Sequence, residues 1–188
     1  MARKLDRIVV VDVEATCWDG TPPVGQESEI IEIGVCTLDV ASLERAERRG
    51  ILVRPQRSTV SPFCTQLTTL TQDQVAAGVS FAEACALLVD VYRTRDRLWA
   101  SYGDYDRRQF ERQCHATGTP YPFGSGHLNV KTLFAIMRGL QREVGMDEAL
   151  RLLGLPLEGT HHRGGDDVWN IAALLATLLA SGRTSVAS

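Results

Sequence analysis

The sequence predicts an α/β fold in which a sheet is covered by helices. Three observations carry this. Residues Arg7–Ala15 form a nearly unbroken β-branched run, two further extended apolar segments follow at Ile30–Leu38 and Gly50–Val53, and helical periodicity dominates from residue 71 onward. Strands first and helices mostly later, joined by crossovers, give an α/β or α+β sheet with helical cover.

Taken in order, Arg-Ile-Val-Val-Val-Asp-Val-Glu-Ala at 7–15 has the composition of a buried strand. The turn-rich Asp19–Gly25 ends it. Ile30–Leu38 and Gly50–Val53 are the next two strands, and Pro55–Pro62 reads as loop. Thr71-Gln72-Asp73-Gln74 opens a short helix by its capping pattern, and Ser80–Tyr92 is a longer one. Leu98–Tyr102 is a short strand. Tyr105–Thr117 has helical period and stops at Gly118-Thr119-Pro120. Helices are expected at Asn129–Leu140, at Met146–Leu153 before Gly154, and at Asp166–Leu179. With 188 residues, no repeat and no long linker, the expectation is a single domain over 1–188 with its core at about 7–180.

Composition narrows the function classes. The chain is 44% hydrophobic, too apolar for disorder, and no apolar run reaches the ~20 residues of a membrane span. The first seven residues do not read as a signal peptide. The five cysteines, Cys17, Cys36, Cys64, Cys85 and Cys114, are widely spaced with no C-x-x-C, which predicts reduced thiols in a cytoplasmic protein and no structural zinc. The net charge of −3 argues against a binder that relies on a basic face. Lys4 and Lys131 are the only lysines.

Chemistry enters through acids in unlikely places. Asp12 and Glu14 interrupt the most hydrophobic strand, and period two points both carboxylates to one face, where they repel and lose hydration. A divalent cation would neutralise them, and oxygen-only ligands favour Mg²⁺ or Mn²⁺ over zinc. Two more acid pairs follow, Asp104/Asp106 and Asp166/Asp167. Asp106 shares a helix face with Phe110 and Cys114, whereas Asp104 precedes the helix and is expected to cap it through the first-turn N–H groups. Asp167 shares a face with Ile171, Leu174 and Leu178 and aims inward; Asp166 is expected to serve the helix start. His162 lies five residues before Asp167.

The order Asp-x-Glu, Tyr-Asp, His-x-x-x-x-Asp, carried by Val11–Trp18, Glu29–Gly34, Ser61–Thr68, Gly103–Asp106 and Leu157–Asp167, resembles the DEDDh 3′→5′ exonucleases of the ribonuclease-H-like superfamily, nearest the branch that trims histone mRNA and small RNAs. The resemblance spans about residues 7–180. It implies a mixed central sheet of about five strands and a two-metal phosphodiester hydrolysis with two Mg²⁺ or Mn²⁺ ions. Asp12, Glu14, Asp106 and Asp167 would be the metal ligands and His162 the general base. Nucleic acid 3′ ends, RNA or DNA, would be the partner, with no membrane and no obligate protein partner. The residues after Asp-x-Glu and the Phe-Cys-x-x-Leu-Thr loop would form the pocket for the terminal nucleotide, which carries over to Ala15, Thr16, Trp18, Phe63 and Leu67. Cys64 is left to packing, and His115, His127 and His161 receive no role. The competing readings are an endonuclease on the same fold and a nucleic-acid-binding module without activity.

Overall fold

The computed structural model describes residues 4–184. Its elements in chain order are β1 (Lys4–Ala15), β2 (Ile30–Asp39), β3 (Arg45–Leu52), α1 (Pro62–Thr68), α2 (Gln72–Ala76), α3 (Phe81–Tyr92), β4 (Arg97–Ser101), α4 (Tyr105–Thr117), β5 (His127–Asn129), α5 (Val130–Met137), α6 (Met146–Leu153) and α7 (Gly164–Thr184). They build one mixed sheet in the order β3-β2-β1-β4-β5. β1 pairs antiparallel with β2, and β2 with β3, whereas β4 runs parallel to both β1 and β5.

Period two divides the core. Ile8 and Val10 of β1, with Cys36, Leu38 and Ala100, face α5, α6 and α7. Val9, Val11 and Val13, with Ile33, Val35 and Trp99, face α3 and α4. Asp12 and Glu14 therefore continue the face of Ile8 and Val10 and emerge where that apolar layer ends. On the β4 side, β1 is paired only as far as Val10 with Ala100, so the backbone N–H of Val13 is left to find another partner.

The largest departures from expectation have local causes. The third strand begins at Arg45 rather than Gly50, because Arg45–Gly50 is a charged sheet edge whose residues are mostly exposed and carry no apolar period. Pro62–Thr68, expected as loop, is a helix with Ser61 as its N-cap, its hydroxyl accepting from the Cys64 N–H at 3.0 Å, and proline in its first turn. β5 is only three residues long and left no periodic trace. The last helix starts two residues earlier than expected, at a glycine pair. A Cβ on Gly34 would overlap the Gly164 carbonyl, and one on Gly165 would lie 3.2 Å from the Gly50 nitrogen. Backbone thus rests directly on backbone where α7 enters the sheet, and this contact sets the height of Asp167 above β1.

Candidate active site

A cleft of about 340 Å³ opens at the C-terminal ends of β1 and β4, and all four predicted carboxylates line it together with His162. Asp12, Glu14 and Asp167 each offer a carboxylate oxygen within 4.8 Å of the others. Asp106 comes round the β4 side on the first turn of α4, and its Oδ1 accepts the unpaired N–H of Val13 at 2.9 Å. The Ser101 hydroxyl donates to the Gly103 carbonyl at 2.9 Å and lies 2.9 Å from His127 Nε2. Ser101 is fully buried, so this Ser–His contact presents no nucleophile.

The electrostatics of the cluster call for a cation. Burial pushes the Asp12 carboxyl well above its ordinary range, and the charges of Asp106, Glu14 and Asp167 push it further. Glu14 is pushed up to about 8, first by burial and then by Asp167 and Glu32. Asp106 rises to about 7 through burial, against the Val13 hydrogen bond that holds it down. Asp167 rises through burial despite its histidine contact. Hard oxygen donors held this close, dehydrated and mutually repelling, fit divalent cations of the Mg²⁺ or Mn²⁺ type.

This yields a pH prediction for the cation-free protein. Groups whose folded pKa is raised keep protons that the unfolded chain gives up near pH 4, so the folded state loses stability as pH rises through about 7 to 8. His127 and His162, held below 6.5 by burial, oppose this only where the unfolded imidazoles take up protons, at lower pH. In chelator, Tm should therefore fall between pH 6.5 and 8.5, and Mg²⁺ should raise it more at pH 8.5 than at 6.5. A chelated Tm that climbs over that window would contradict the arrangement.

The histidines differ from expectation. His162 adopts a left-handed backbone (φ 63°), which turns its N–H onto Asp167 Oδ2 at 2.9 Å and leaves the ring beside the cleft. Burial and the neighbouring His161 lower its pKa, so the ring is neutral at pH 7. His161, without a role on sequence grounds, stacks on His162 with centroids 4.0 Å apart and brings Nδ1 within 3.1 Å of Asp167 Oδ1. Both positions therefore hold Asp167, one through backbone and one through its ring.

Of the acids outside the ligand set, Asp104 departs from expectation, while Asp166 stands in the first turn of α7 as expected. Asp104 makes no side-chain cap on α4. Its carboxylate is 3.3 Å from Arg107 and 3.9 Å from His127 instead. Asp166 accepts the Thr160 N–H at 2.7 Å and pairs with Arg48, tying down the loop before α7. The buried Glu32, within the Glu29–Gly34 motif but without an expected role, faces Glu14 directly across β1 and β2. It accepts from Arg163 at 3.2 and 3.3 Å and from the Gly164 N–H at 3.0 Å. Glu32 thereby anchors the start of α7, and its sequence signal was an acid inside Ile30-Ile31-Glu32-Ile33.

The expected substrate pocket is only partly assembled in the cleft. Ala15 and Leu67 line it. Phe63 is one turn before Leu67 on α1, and both side chains are nearly two-fifths exposed, which removes the alternative of core packing under a loop. Thr16 turns away: it is fully buried, its hydroxyl bridges the Glu27 carbonyl (3.1 Å) and the Glu29 N–H (2.9 Å), and its own N–H bonds Glu29 O. Trp18 is half-buried outside the lining. Residues missed from sequence complete the walls: Cys17, Tyr102, the exposed Tyr105, Lys131, Gly145 and Met146. All five cysteines are free. Among the described residues, no helix is long and apolar enough to cross a membrane.

Comparison with known proteins agrees with this geometry. The family model RNase_T, described as exonuclease, matches residues 9–175. Human 3'-5' exoribonuclease 1 is 31% identical, with 94% of this chain and 53% of the human protein covered. Mouse ERI1 exoribonuclease 3 is 28% identical, with 93% and 54% covered. The chain spans about half the length of these curated relatives. The nuclease domain of 3'hExo, a DEDDh family member solved with rAMP, superposes with a TM-score of 0.86 at 29% identity over 96% of both chains. A 3'-exonuclease solved for its 3'-end-specific recognition of the histone mRNA stem-loop gives 0.86 at 29% identity, covering 94% of this chain and 83% of that one. The five-stranded mixed sheet with flanking helices expected from the motifs is the fold of these structures.

Proposed function

The chain belongs to the RNase_T exonuclease family, and from that premise we propose that residues 1–188 act as one metal-dependent domain that removes nucleotides from the 3′ end of RNA as nucleoside 5′-monophosphates. One observation carries the reading: four carboxylates from β1, α4 and α7 converge on a cleft that also holds a neutral imidazole. The relatives named as exoribonucleases favour RNA over DNA. Free thiols throughout agree with a cytoplasmic protein.

In this reading Asp12, Glu14, Asp106 and Asp167 hold two Mg²⁺ or Mn²⁺ ions. When bound, such ions supply Lewis-acid stabilisation of the charge that develops on the scissile phosphate and its leaving oxygen. His162, uncharged at pH 7, takes the proton of the attacking water. His161 orients Asp167 and favours its ionised form. Leu67 and Phe63 on α1, with Tyr105 on another wall of the cleft, give the terminal base apolar and aromatic surface without reading its identity.

The test is digestion of 5′-labelled single-stranded RNA and DNA with Mg²⁺, Mn²⁺ or chelator. A one-nucleotide ladder that needs the metal is expected; cleavage of a circular RNA, or full activity in chelator, would refute the reading. Base–aromatic stacking contributes about 1–3 kcal/mol, so Phe63→Ala should raise KM roughly tenfold with Tm nearly unchanged. A Tm loss matching the ~3–5 kcal/mol of a buried phenylalanine truncation would return Phe63 to the core.

A further inference from the structure

We propose that Lys131 binds a phosphate of the substrate backbone, an inference that rests on the exonuclease reading. Lys131 is one of two lysines in the chain and the only lysine or arginine among the residues lining the cleft. It stands on the first turn of α5 and reaches the cleft beside Gly103, where an added Cβ would lie 3.8 Å from its Cδ. Gly103 has φ 112°, a conformation side-chain-bearing residues rarely adopt, so the chain keeps this turn bare beneath the lysine stem.

The ammonium is not committed elsewhere. Its ionic neighbour is Glu143 at 4.0 Å, beyond hydrogen-bond length, and both side chains are a third or more exposed. Such a pair holds a lysine only weakly. Glu143 is meanwhile engaged by the Thr132 hydroxyl. With the carboxylates of Asp12, Glu14, Asp106 and Asp167 balanced by the metal ions, a point charge on a flexible stem at the cleft wall adds attraction where the backbone passes. Every substrate strand brings a phosphodiester, so the contact would strengthen binding to any sequence equally.

The experiment compares Lys131→Gln, Lys131→Arg and Glu143→Gln with wild type, measuring kcat and KM on a single-stranded oligoribonucleotide across a salt series. A charge-assisted hydrogen bond at a partly exposed site predicts that Lys131→Gln raises KM roughly tenfold at low salt, with kcat within about twofold. The slope of log affinity against log salt should become shallower by about 0.7, the value for one phosphate contact on a single strand. Lys131→Arg should restore both, and Glu143→Gln should keep the wild-type slope. A Lys131→Gln protein with wild-type KM and slope would overturn the proposal, as would equal effects of Lys131→Gln and Glu143→Gln on Tm and KM, which would reduce the lysine to half of an ion pair. Equilibrium binding to the non-cleaving Asp106→Asn protein, with and without Lys131→Gln, reads the same slope without chemistry. A wild type that makes no ladder would therefore refute the exonuclease reading, while an unchanged binding slope would refute the lysine's role alone.

Discussion

Asp106→Asn should abolish exonuclease activity and raise the melting temperature of the metal-free protein. The substitution keeps the oxygen that accepts the Val13 N–H at 2.9 Å, so the seam between α4 and β1 survives. It removes a carboxyl whose pKa burial has pushed up to about 7, and whose charge when ionised repels Asp12, Glu14 and Asp167. Metal assistance stabilises the transition state by several kcal/mol, and each 1.36 kcal/mol is a decade in rate, so the loss should be at least about 10³-fold. Relief of repulsion should appear in chelator at pH 8 and shrink at pH 6. Asp104→Asn supplies the contrast: its half-exposed pairing with Arg107 is of the kind worth about 0–1 kcal/mol, and Asp104 is not part of the cleft wall. That variant should match wild type in rate and lie within about a kcal/mol in stability. An active Asp106→Asn, or a dead Asp104→Asn, would relocate the ligand.

His162→Ala is the second large effect, with kcat expected to fall by roughly 10²–10⁴ while metal still raises Tm. Burial lowers the pKa of this ring, so the acid limb of the wild-type kcat/KM profile should fall below 6.5 and disappear in the variant. His161→Ala should behave differently, because its Nδ1 sits 3.1 Å from Asp167 and never needs to exchange a proton with water. Loss of such an outer contact typically weakens metal affinity 10–100-fold, so raising the metal concentration should recover most of its activity. Equal and metal-independent losses in both variants would mean that His162 is not the base and His161 does not act through Asp167.

What was legible in the sequence was whatever depended on periodicity. Alternation along β1 put Asp12 and Glu14 on one face, and the helical step joined Asp106 to Phe110 and Asp167 to Ile171 and Leu174, all of which are buried. The bounds of α4 and α6 followed from their glycine stops, Gly118 and Gly154. What escaped depended on contacts between distant segments or on single backbone angles. The His161 contact with Asp167 accompanies a left-handed His162, and no side-chain pattern announces that angle. Glu32 acts on residues more than 130 positions away. β3 is a charged edge, and charge there reads as loop. Thr16 failed as a pocket residue because Glu27 and Glu29, beyond the following turn, claim its hydroxyl.

The glycine contact between the sheet and the start of α7 also fixes when, as the chain is made, the fourth carboxylate can join the other three. Asp12 and Glu14 leave the ribosome long before Asp167, and Gly164 and Gly165 seat only on Gly34 and Gly50 of strands already paired. A nascent chain that has emerged as far as α6 carries all five strand segments and three of the four carboxylates but lacks His161, His162 and Asp167. In the proposed mechanism the fourth ligand and the base thus arrive together, when α7 emerges and the glycine pair docks.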